Sequence, residues 1–401
     1  MSNIAILTQY NPWPINDGCA LRVINLSKQL ASKHDCSLVY FSSDENEVDD
    51  ILDIDIYSNV KKLPVQGLSK ISWRRHLRVT EEKYIKLAYP EYYKCILDEL
   101  RRFLIEHNID IVISIGLYFA QFLDDINSVK KVMDDYDCLT LTIEREYEVN
   151  KRFLSIKEKV SHFIALNRII NMEKNLTKKY DLVTTISPTD LSRISALNNV
   201  NESEIELIPN GVSDELLQKS FDSIKKPNSI AFWGYLDFMP NKTAVEYFCE
   251  EIFIPFLLDK GVKWYVIGKN PSDLIVERAA QYENIIITGF IDDIFEFVNS
   301  IPVMVNPMVM GSGLKNKVLE ALILSMAVVS TEMGVEALLV NDNEHCLIRD
   351  NPEDFAKAII LLLENDSNCK RLGNVGRQLV VDQYTWSNVG GKLNDLIETV
   401  V

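Results

Sequence analysis

One segment organises this sequence: Val305-Asn-Pro-Met-Val-Met-Gly-Ser-Gly-Leu-Lys-Asn-Lys-Val-Leu-Glu-Ala-Leu322. Its pattern predicts an apolar strand over residues 302–305, a glycine-containing loop, and a helix that begins at Leu314. Gly311 and Gly313 lack a Cβ, so the backbone there can turn tightly and approach a ligand closely. The free N–H groups and the dipole of a helix N-terminus favour an anion. The segment therefore predicts an anion-binding turn between a strand and a helix.

Three side chains that follow this turn fit a nucleotide. Lys315 and Lys317 place two cations beside the helix end, where phosphate would bind. Glu320 lies one to two turns into the predicted helix, and a carboxylate there can accept hydrogen bonds from vicinal sugar hydroxyls. The alternative is a surface loop with two solvated lysines and a salt-bridged glutamate, because such a short motif is weakly specific by itself.

The composition is that of an ordinary soluble globular protein. The chain has 401 residues, enough for two domains with separate cores. Its net charge of -16 opposes general nucleic-acid binding, since phosphate contacts need a basic surface. The seven cysteines form no CxxC pair and the five histidines no HExxH motif, which suits a reducing cytosol and opposes a zinc ribbon. Because there is neither a signal-peptide pattern nor an apolar run long enough for a membrane span, we expect a cytoplasmic protein. The spacing of the cysteines and histidines predicts no metal site.

Short apolar runs alternate with helical patterns, which predicts parallel sheets covered by helices. Strands are predicted at residues 4–8, 37–41, 109–115, 182–187, 206–212, 229–233, 263–268, 285–289, 303–306 and 327–331. Helices are predicted at residues 20–32, 92–107, 150–180, 242–258, 273–281, 291–298, 314–322 and 352–365, and from there to residue 401. The polar residues 213–228 look like a linker. We therefore expect an N-terminal domain over residues 1–212, a C-terminal domain over 229–385, and a helix over 386–401 that packs back toward the N-terminal domain.

Two carboxylates follow a predicted strand of the N-terminal domain. Asp134 and Asp135 stand at its carboxyl end, where open α/β sheets place their ligands, so both are candidates for catalysis. A helix-capping cluster is the alternative. The first strand is not followed by a G-x-G-x-x-G sequence, so a dinucleotide cofactor is disfavoured.

The segment 151–179 is basic in an acidic protein, with eight Lys and Arg against two Glu, or 8 − 2 = +6. Its apolar residues recur at helical spacing on one face: Ile156, Val160, Phe163, Leu166 and Ile170. The charges form either a solvated face or a surface attracted to an anionic membrane. Residues 69–93, which mix bases with aromatics, are either an exposed helical hairpin or a site for an anionic or lipid-linked partner.

Several short motifs, in their order and spacing, resemble those of GT-B glycosyltransferases of family 4. They are Thr185-Ile-Ser187, Ile208-Pro-Asn-Gly-Val212, Phe232-Trp-Gly234 with Pro240-Asn241, Ile267-Gly268, Thr288-Gly-Phe-Ile-Asp-Asp293, Gly313-Leu-Lys-Asn-Lys-Val-Leu-Glu-Ala321 and Val328-Val-Ser-Thr-Glu-Met-Gly-Val-Glu336. The resemblance covers nearly the whole chain and is strongest over residues 182–340. It implies an α/β protein of two doubly wound Rossmann-like domains that face a central cleft.

The resemblance also implies an activity. The expected protein is a retaining enzyme of a bacterial sugar-transferase subgroup that acts in surface-polysaccharide synthesis. A nucleoside-diphosphate sugar would bind mainly to the C-terminal domain, and a glycan or lipid-linked acceptor mainly to the N-terminal domain. No metal or other cofactor is required. The protein would lie in the cytoplasm, either free or peripheral at the inner face of the membrane.

Donor-binding residues follow by position in the motifs. They are Gly18, Gly234, Asn241, Gly268, Phe290, Gly311, Ser312, Gly313, Leu314, Lys315, Lys317 and Glu320. Glu320 resembles the second acid of the family's E-x7-E motif, which binds the donor ribose. Ser312 stands where the first acid would be, so a carboxylate contact with the donor sugar is lost. The two lysines take over the phosphate charge, and Lys315 is also assigned to stabilising the leaving group during catalysis.

Two other functions remain open. A nucleotide-sugar epimerase of the same fold would use the donor without an acceptor. A non-catalytic glycosyltransferase-like subunit would be consistent with Ser312 in the acid position. An NAD-dependent oxidoreductase is disfavoured by the missing glycine fingerprint.

Overall fold

The chain folds into two compact units. The structure is a computed structural model and describes residues 1–15, 17–43, 54–65, 84–152, 154–218, 226–311 and 313–400. One unit comprises residues 1–209 and 389–401, and the other residues 210–388. Part of the predicted linker, residues 219–225, lies outside the described residues, and so does most of the basic aromatic segment, residues 69–83.

The first unit is built on a seven-stranded parallel sheet with the order β3-β2-β1-β4-β5-β6-β7. Its strands are β1 (Asn3–Thr8), β2 (Asp35–Ser42), β3 (Asn59–Pro64), β4 (Ile111–Ile115), β5 (Lys130–Asp135), β6 (Leu182–Thr185) and β7 (Glu206–Leu207). All five residues of β4 are buried, because a central parallel strand is covered on both faces. The strand order reverses between β1 and β4, which opens a crevice at their carboxyl ends.

Helices cover this sheet, and one of them differs from the prediction. They are α1 (Gly18–Ala31), α2 (Tyr84–Ala88), α3 (Pro90–Glu106), α4 (Leu139–Asn150), α5 (Ile156–Glu173), α6 (Leu176–Lys179), α7 (Pro188–Asn198) and most of the last helix, α16 (Trp386–Val400). The single long helix predicted over residues 150–180 is wrong. A capping box between Ser155 and Glu158 starts α5, and the left-handed backbone of Asn175 (φ 71°) separates it from α6.

The end of α16 packs within the first unit, where the Asn394 side-chain amide donates to the carbonyl oxygen of Gln29 at 3.1 Å. In α3, Tyr92 and Tyr93 are 8% and 3% exposed, so these aromatics belong to the core and not to an exposed hairpin face. No helix among the described residues is long and apolar enough to cross a bilayer.

The second unit has a six-stranded parallel sheet with the order β10-β9-β8-β11-β12-β13. Its strands are β8 (Ser229–Trp233), β9 (Lys263–Ile267), β10 (Ile285–Gly289), β11 (Val303–Asn306), β12 (Ala327–Ser330) and β13 (Leu347–Ile348). Its helices are α8 (Glu215–Gln218), α9 (Met239–Tyr247), α10 (Asp273–Gln281), α11 (Ile294–Val298), α12 (Asn316–Ile323), α13 (Glu332–Val335), α14 (Pro352–Glu364) and α15 (Asp366–Gln383). The region predicted as one helix over residues 242–258 is observed as α9 followed by a π-helical segment, Phe248–Leu257, which contains Pro255.

Candidate functional site

Most of the residues predicted for donor binding lie in the second unit, in the loops and the helix that follow the carboxyl ends of its strands. The strand order reverses between β8 and β11, so the carboxyl ends of these strands flank a crevice, the usual ligand site of an open α/β sheet. Gly234 follows β8 directly, and the loop after β11 leads into α12.

Two glycines form the floor of this crevice. Gly234 has φ +153° and Gly268, which follows β9, has φ +148°. A Cβ on Gly268 would lie 1.9 Å from the carbonyl oxygen of Gly234. A Cβ on Gly234 would lie 2.9 Å from the Asn241 amide nitrogen and 3.3 Å from Lys317 Nζ. Only glycine fits at both positions, and its absent side chains let polar groups lie directly over the backbone.

Lys317 carries the cation nearest to this floor. Its Nζ donates to Asn241 Oδ1 at 2.5 Å and lies 4.1 Å from the centroid of the Phe232 ring. Burial, together with the neighbouring cation of Lys315, lowers the pKa of Lys317 to about 7, and Glu320 opposes this effect. Near neutral pH the amine is therefore divided between its charged and neutral forms, and an arriving anion would favour the charged form.

Glu320 lies on the same face of α12 as Lys317, three residues further along. The indole N–H of Trp233 donates to its Oε2 at 2.8 Å. Burial raises the pKa of Glu320, while the Trp233 hydrogen bond and Lys317 act in the opposite direction. In the part of the chain that the structure describes, Oε2 alone of the two oxygens has a protein partner, which leaves Oε1 available to a ligand hydroxyl.

The glycine loop has the backbone that the sequence predicts. Gly311 and Gly313 have φ values of 105° and 70°, a region that favours glycine. Lys315 occupies the N-cap position of α12, and its Nζ donates to the carbonyl oxygen of Gly313 at 2.9 Å. The helix predicted to begin at Leu314 begins at Asn316, so Leu314 belongs to the loop. Ser312 lies outside the described residues.

An exposed aromatic side chain lies at the end of β10. Phe290 is 61% exposed, and Lys269 Nζ lies 4.3 Å from its ring centroid. A flat, solvated ring after the carboxyl end of a strand can stack against a planar ligand group. Lys269 and Trp233 were not among the predicted donor-binding residues, although each stands beside a predicted glycine at a strand end.

In the first unit, Asp134 forms a buried ion pair. Arg22 donates to its two carboxylate oxygens from Nε and Nη2, both at 2.7 Å, and the Thr184 hydroxyl donates to Oδ1 at 2.7 Å. Arg22 also donates to the carbonyl oxygen of Ile208 at 2.7 Å. The Arg22 and Asp134 side chains are 0% and 3% exposed. Catalysis by Asp134 stays a prediction, and this geometry favours a structural role that ties α1 to the sheet.

Asp135 belongs to a buried cluster of acids. Burial raises its pKa, and the nearby carboxyls of Glu173, Asp190 and Asp137 raise it further. Burial also raises the pKa of Glu173 to about 7 and that of Asp190 to about 6. Asp135 is 1% exposed and its Oδ2 has no hydrogen-bond partner among the described residues. Its predicted catalytic role also stays a prediction. The burial of the side chain within the unit argues against direct contact with a substrate.

Gly18 lies at the crevice of the first sheet. It is the first residue of α1, after the N-cap Asp17, which accepts a hydrogen bond from the Tyr10 hydroxyl at 2.7 Å. Across the crevice, a Cβ on Gly116 would lie 2.1 Å from Gln9 Nε2, a close approach that the sequence analysis missed. Donor binding by Gly18 stays a prediction. None of the described His, Cys, Asp and Glu side chains group in threes or more in a way that could hold a metal ion.

Solved structures share the fold of this chain over its whole length. Sucrose-phosphate synthase from Thermosynechococcus elongatus has a TM-score of 0.69 at 16% identity, with 100% of this chain and 99% of that chain covered. HepE of Anabaena in complex with UDP has a TM-score of 0.68 at 12% identity, with 99% and 100% covered. The chain has the GT-B fold. A structure of S. aureus TarM, with a TM-score of 0.68, 12% identity and 99% of each chain covered, is a further GT-B neighbour.

Sequence comparisons match this chain in part to glycosyltransferases. Residues 227–365, most of the second GT-B unit, match the family described as Glycosyl transferases group 1. An uncharacterised glycosyltransferase of Methanocaldococcus jannaschii is 24% identical over 260 residues, which are 61% of this chain and 64% of that protein. The match thus spans less than two thirds of that relative's length. Together these findings support a glycosyltransferase with the GT-B fold.

Proposed function

We propose that this chain is a retaining glycosyltransferase of family 4. It moves a sugar from a nucleoside-diphosphate sugar to a glycan or lipid-linked acceptor, in bacterial surface-polysaccharide synthesis at the cytoplasmic face of the membrane. One observation carries the proposal: Lys317, Glu320 and the Gly234 backbone meet at the crevice between β8 and β11.

These groups fit the parts of a nucleotide in order. A diphosphate over Gly234 would take a charge-assisted hydrogen bond from Lys317 and meet the first N–H groups of α12. A ribose one turn further along α12 would donate a hydroxyl to Oε1 of Glu320. In this proposal the base stacks on the exposed ring of Phe290, which follows the carboxyl end of β10.

The same groups suit the transfer step. As the bond between the anomeric carbon and the diphosphate breaks, its electron pair stays on the departing phosphate oxygen. The oxygen of the acceptor hydroxyl bonds to the anomeric carbon, and its proton passes to the departing diphosphate. Lys315, Lys317 and the N-terminus of α12 stabilise the charge that develops there, which is where a fixed cation accelerates the reaction.

The solved neighbours indicate which nucleotide to test first. HepE has been crystallised with UDP and with UDP-glucose, and TarM with UDP and α-GlcNAc-glycerol. We therefore propose UDP as the first candidate for the leaving group of this enzyme.

Thermal unfolding with UDP, GDP, ADP, CMP and NAD tests the proposal, since a ligand of the folded state raises the melting temperature. We expect a shift with one nucleoside diphosphate that is lost in Lys317→Met and kept in Lys260→Met, a control at an exposed lysine of the same unit. A shift with NAD alone would contradict the proposal, and so would the absence of a shift with every nucleotide tested. Product analysis then separates the classes: transfer needs an acceptor, whereas an epimerase converts the donor without one.

A further inference from the structure

The first half of α5 presents an apolar ridge to solvent. Ile156, Val160 and Phe163 are 84%, 53% and 66% exposed. The sequence pattern places them on one helical face, and such a face is normally buried against the core. Large apolar side chains exposed singly are common, but three in a row on one helix are a contiguous patch that needs a partner.

The ridge points away from the body of its own unit. At about 100° per residue, its three members fall within roughly 60° of one another around the helix. The opposite side of α5 makes the contacts with the protein. There His162 Nε2 lies 3.0 Å from the Ile143 carbonyl oxygen, and Glu173 is 0% exposed. The side of α5 that carries the ridge is therefore its solvent side.

Basic side chains flank the ridge. Lys157 and Lys159 lie on either side of it around the helix, Arg152 precedes it, and all three are exposed. The acid within this segment, Glu158, is held in the capping box, where it accepts from the Ser155 backbone N–H at 2.8 Å. The whole chain has a net charge of -16, so the positive charge at the ridge is a local feature.

We propose that this ridge docks the protein on the surface of an anionic lipid bilayer. The helix lies in the plane of the interface, with Ile156, Val160 and Phe163 between the lipid headgroups. Lys157 and Lys159 meet the phosphate charges on either side. An apolar stripe bordered by lysines is the pattern of helices that lie in a membrane interface. A second copy of the chain is a poorer occupant, because a two-fold contact would bring the lysines of both copies together.

Vesicle flotation of the full chain tests this docking. The vesicles contain phosphatidylcholine alone or phosphatidylcholine mixed with phosphatidylglycerol. The triple variant Ile156→Ser, Val160→Ser, Phe163→Ser removes the ridge, and Lys157→Gln with Lys159→Gln removes its flanking charge. The matched control, Val276→Ser with Leu361→Ser, changes apolar side chains of the second unit that are 49% and 51% exposed.

The expected results separate docking from other uses of the ridge. The wild type and the control float with the anionic vesicles and not with the neutral ones, and each test variant binds at least tenfold more weakly. The proposal is overturned if the wild type stays unbound or if the ridge variant binds like the control. It is also overturned if sedimentation without lipid shows a dimer that the ridge variant abolishes. UDP binding, measured on the same variants, remains unchanged, so this test is independent of the proposed activity.

Discussion

Donor binding should depend on pH through Lys317. The pKa of this amine is lowered to about 7 in the free protein, so it is cationic below that pH and neutral above it. A bound diphosphate favours the cation, and the binding-competent fraction falls from about nine tenths at pH 6 to about one tenth at pH 8. Since the apparent dissociation constant is the intrinsic constant divided by this fraction, we expect it to rise about tenfold over that range.

Calorimetric titration with a nucleoside-diphosphate sugar measures this linkage. The two phosphates of such a donor stay ionised throughout the range, so only the protein titrates. At pH 7.5 the complex should take up about three quarters of a proton, read from the difference in heat between two buffers of unequal ionisation enthalpy. A dissociation constant that is equal at pH 6 and pH 8, with equal heats in both buffers, would refute the reasoning.

Two variants assign the proton to Lys317. Lys317→Met should bind the donor weakly at every pH and lose the dependence. Glu320→Gln removes a carboxylate that raises the pKa of Lys317, so its profile should move to lower pH. A Lys317→Met variant that keeps the wild-type pH profile would assign the titration to another group.

Three further predictions follow from individual contacts. Glu320→Ala should weaken donor binding by about 2 kcal/mol, roughly thirtyfold. Glu320→Gln should weaken it less, because the amide keeps an acceptor for the Trp233 indole N–H. If calorimetry gave the alanine variant and the wild type equal affinities, the proposed ribose contact would be ruled out. Arg22→Met should lower the free energy of unfolding by about 3–5 kcal/mol in urea, since it leaves Asp134 buried without its partner; a loss under about 1 kcal/mol would show that the pair is not structural. The folded-state pKa of Glu173 is about 7, above its ordinary value, so the wild type loses stability as pH rises toward and through 7. The free energy of unfolding of Glu173→Gln should therefore rise by about 2–3 kcal/mol relative to the wild type between pH 5 and pH 8. Parallel curves of this free energy against pH would contradict the prediction.

The buried central strands could be predicted from the sequence, whereas two of the four edge strands, β3 and β13, could not. Strands β1, β8 and β11 are continuous apolar runs because both faces of a central parallel strand are covered. Strand β3 was missed, since it lies at the sheet edge and Leu63 is its one buried residue. Strand β13, at an edge of the second sheet, has only two residues, too few to show a periodic pattern of apolar residues.

The residues of the candidate site could be predicted from one segment and from the short motifs before it, but their contacts could not. Lys315, Lys317 and Glu320 follow the glycine loop directly in the chain. The contacts of Lys317 with Asn241 and of Glu320 with Trp233 could not be predicted. Asn241 and Trp233 are 76 and 87 residues away from Lys317 and Glu320 and meet them only when β8 pairs with β11. The exposed ridge shows a related limit. Periodicity identifies an apolar helical face, but it does not say whether that face meets the core or the solvent.

Hydrogen–deuterium exchange with and without UDP tests the proposed donor site most directly. We expect UDP to slow the exchange of amides in residues 307–323, which span the glycine loop and α12, and in residues 233–241, from the last residue of β8 onward. Lys317→Met should lose this protection at the same UDP concentration. Protection confined to the first unit, or none at saturating UDP and at saturating concentrations of the other nucleoside diphosphates, would contradict a nucleotide-sugar site between β8 and β11.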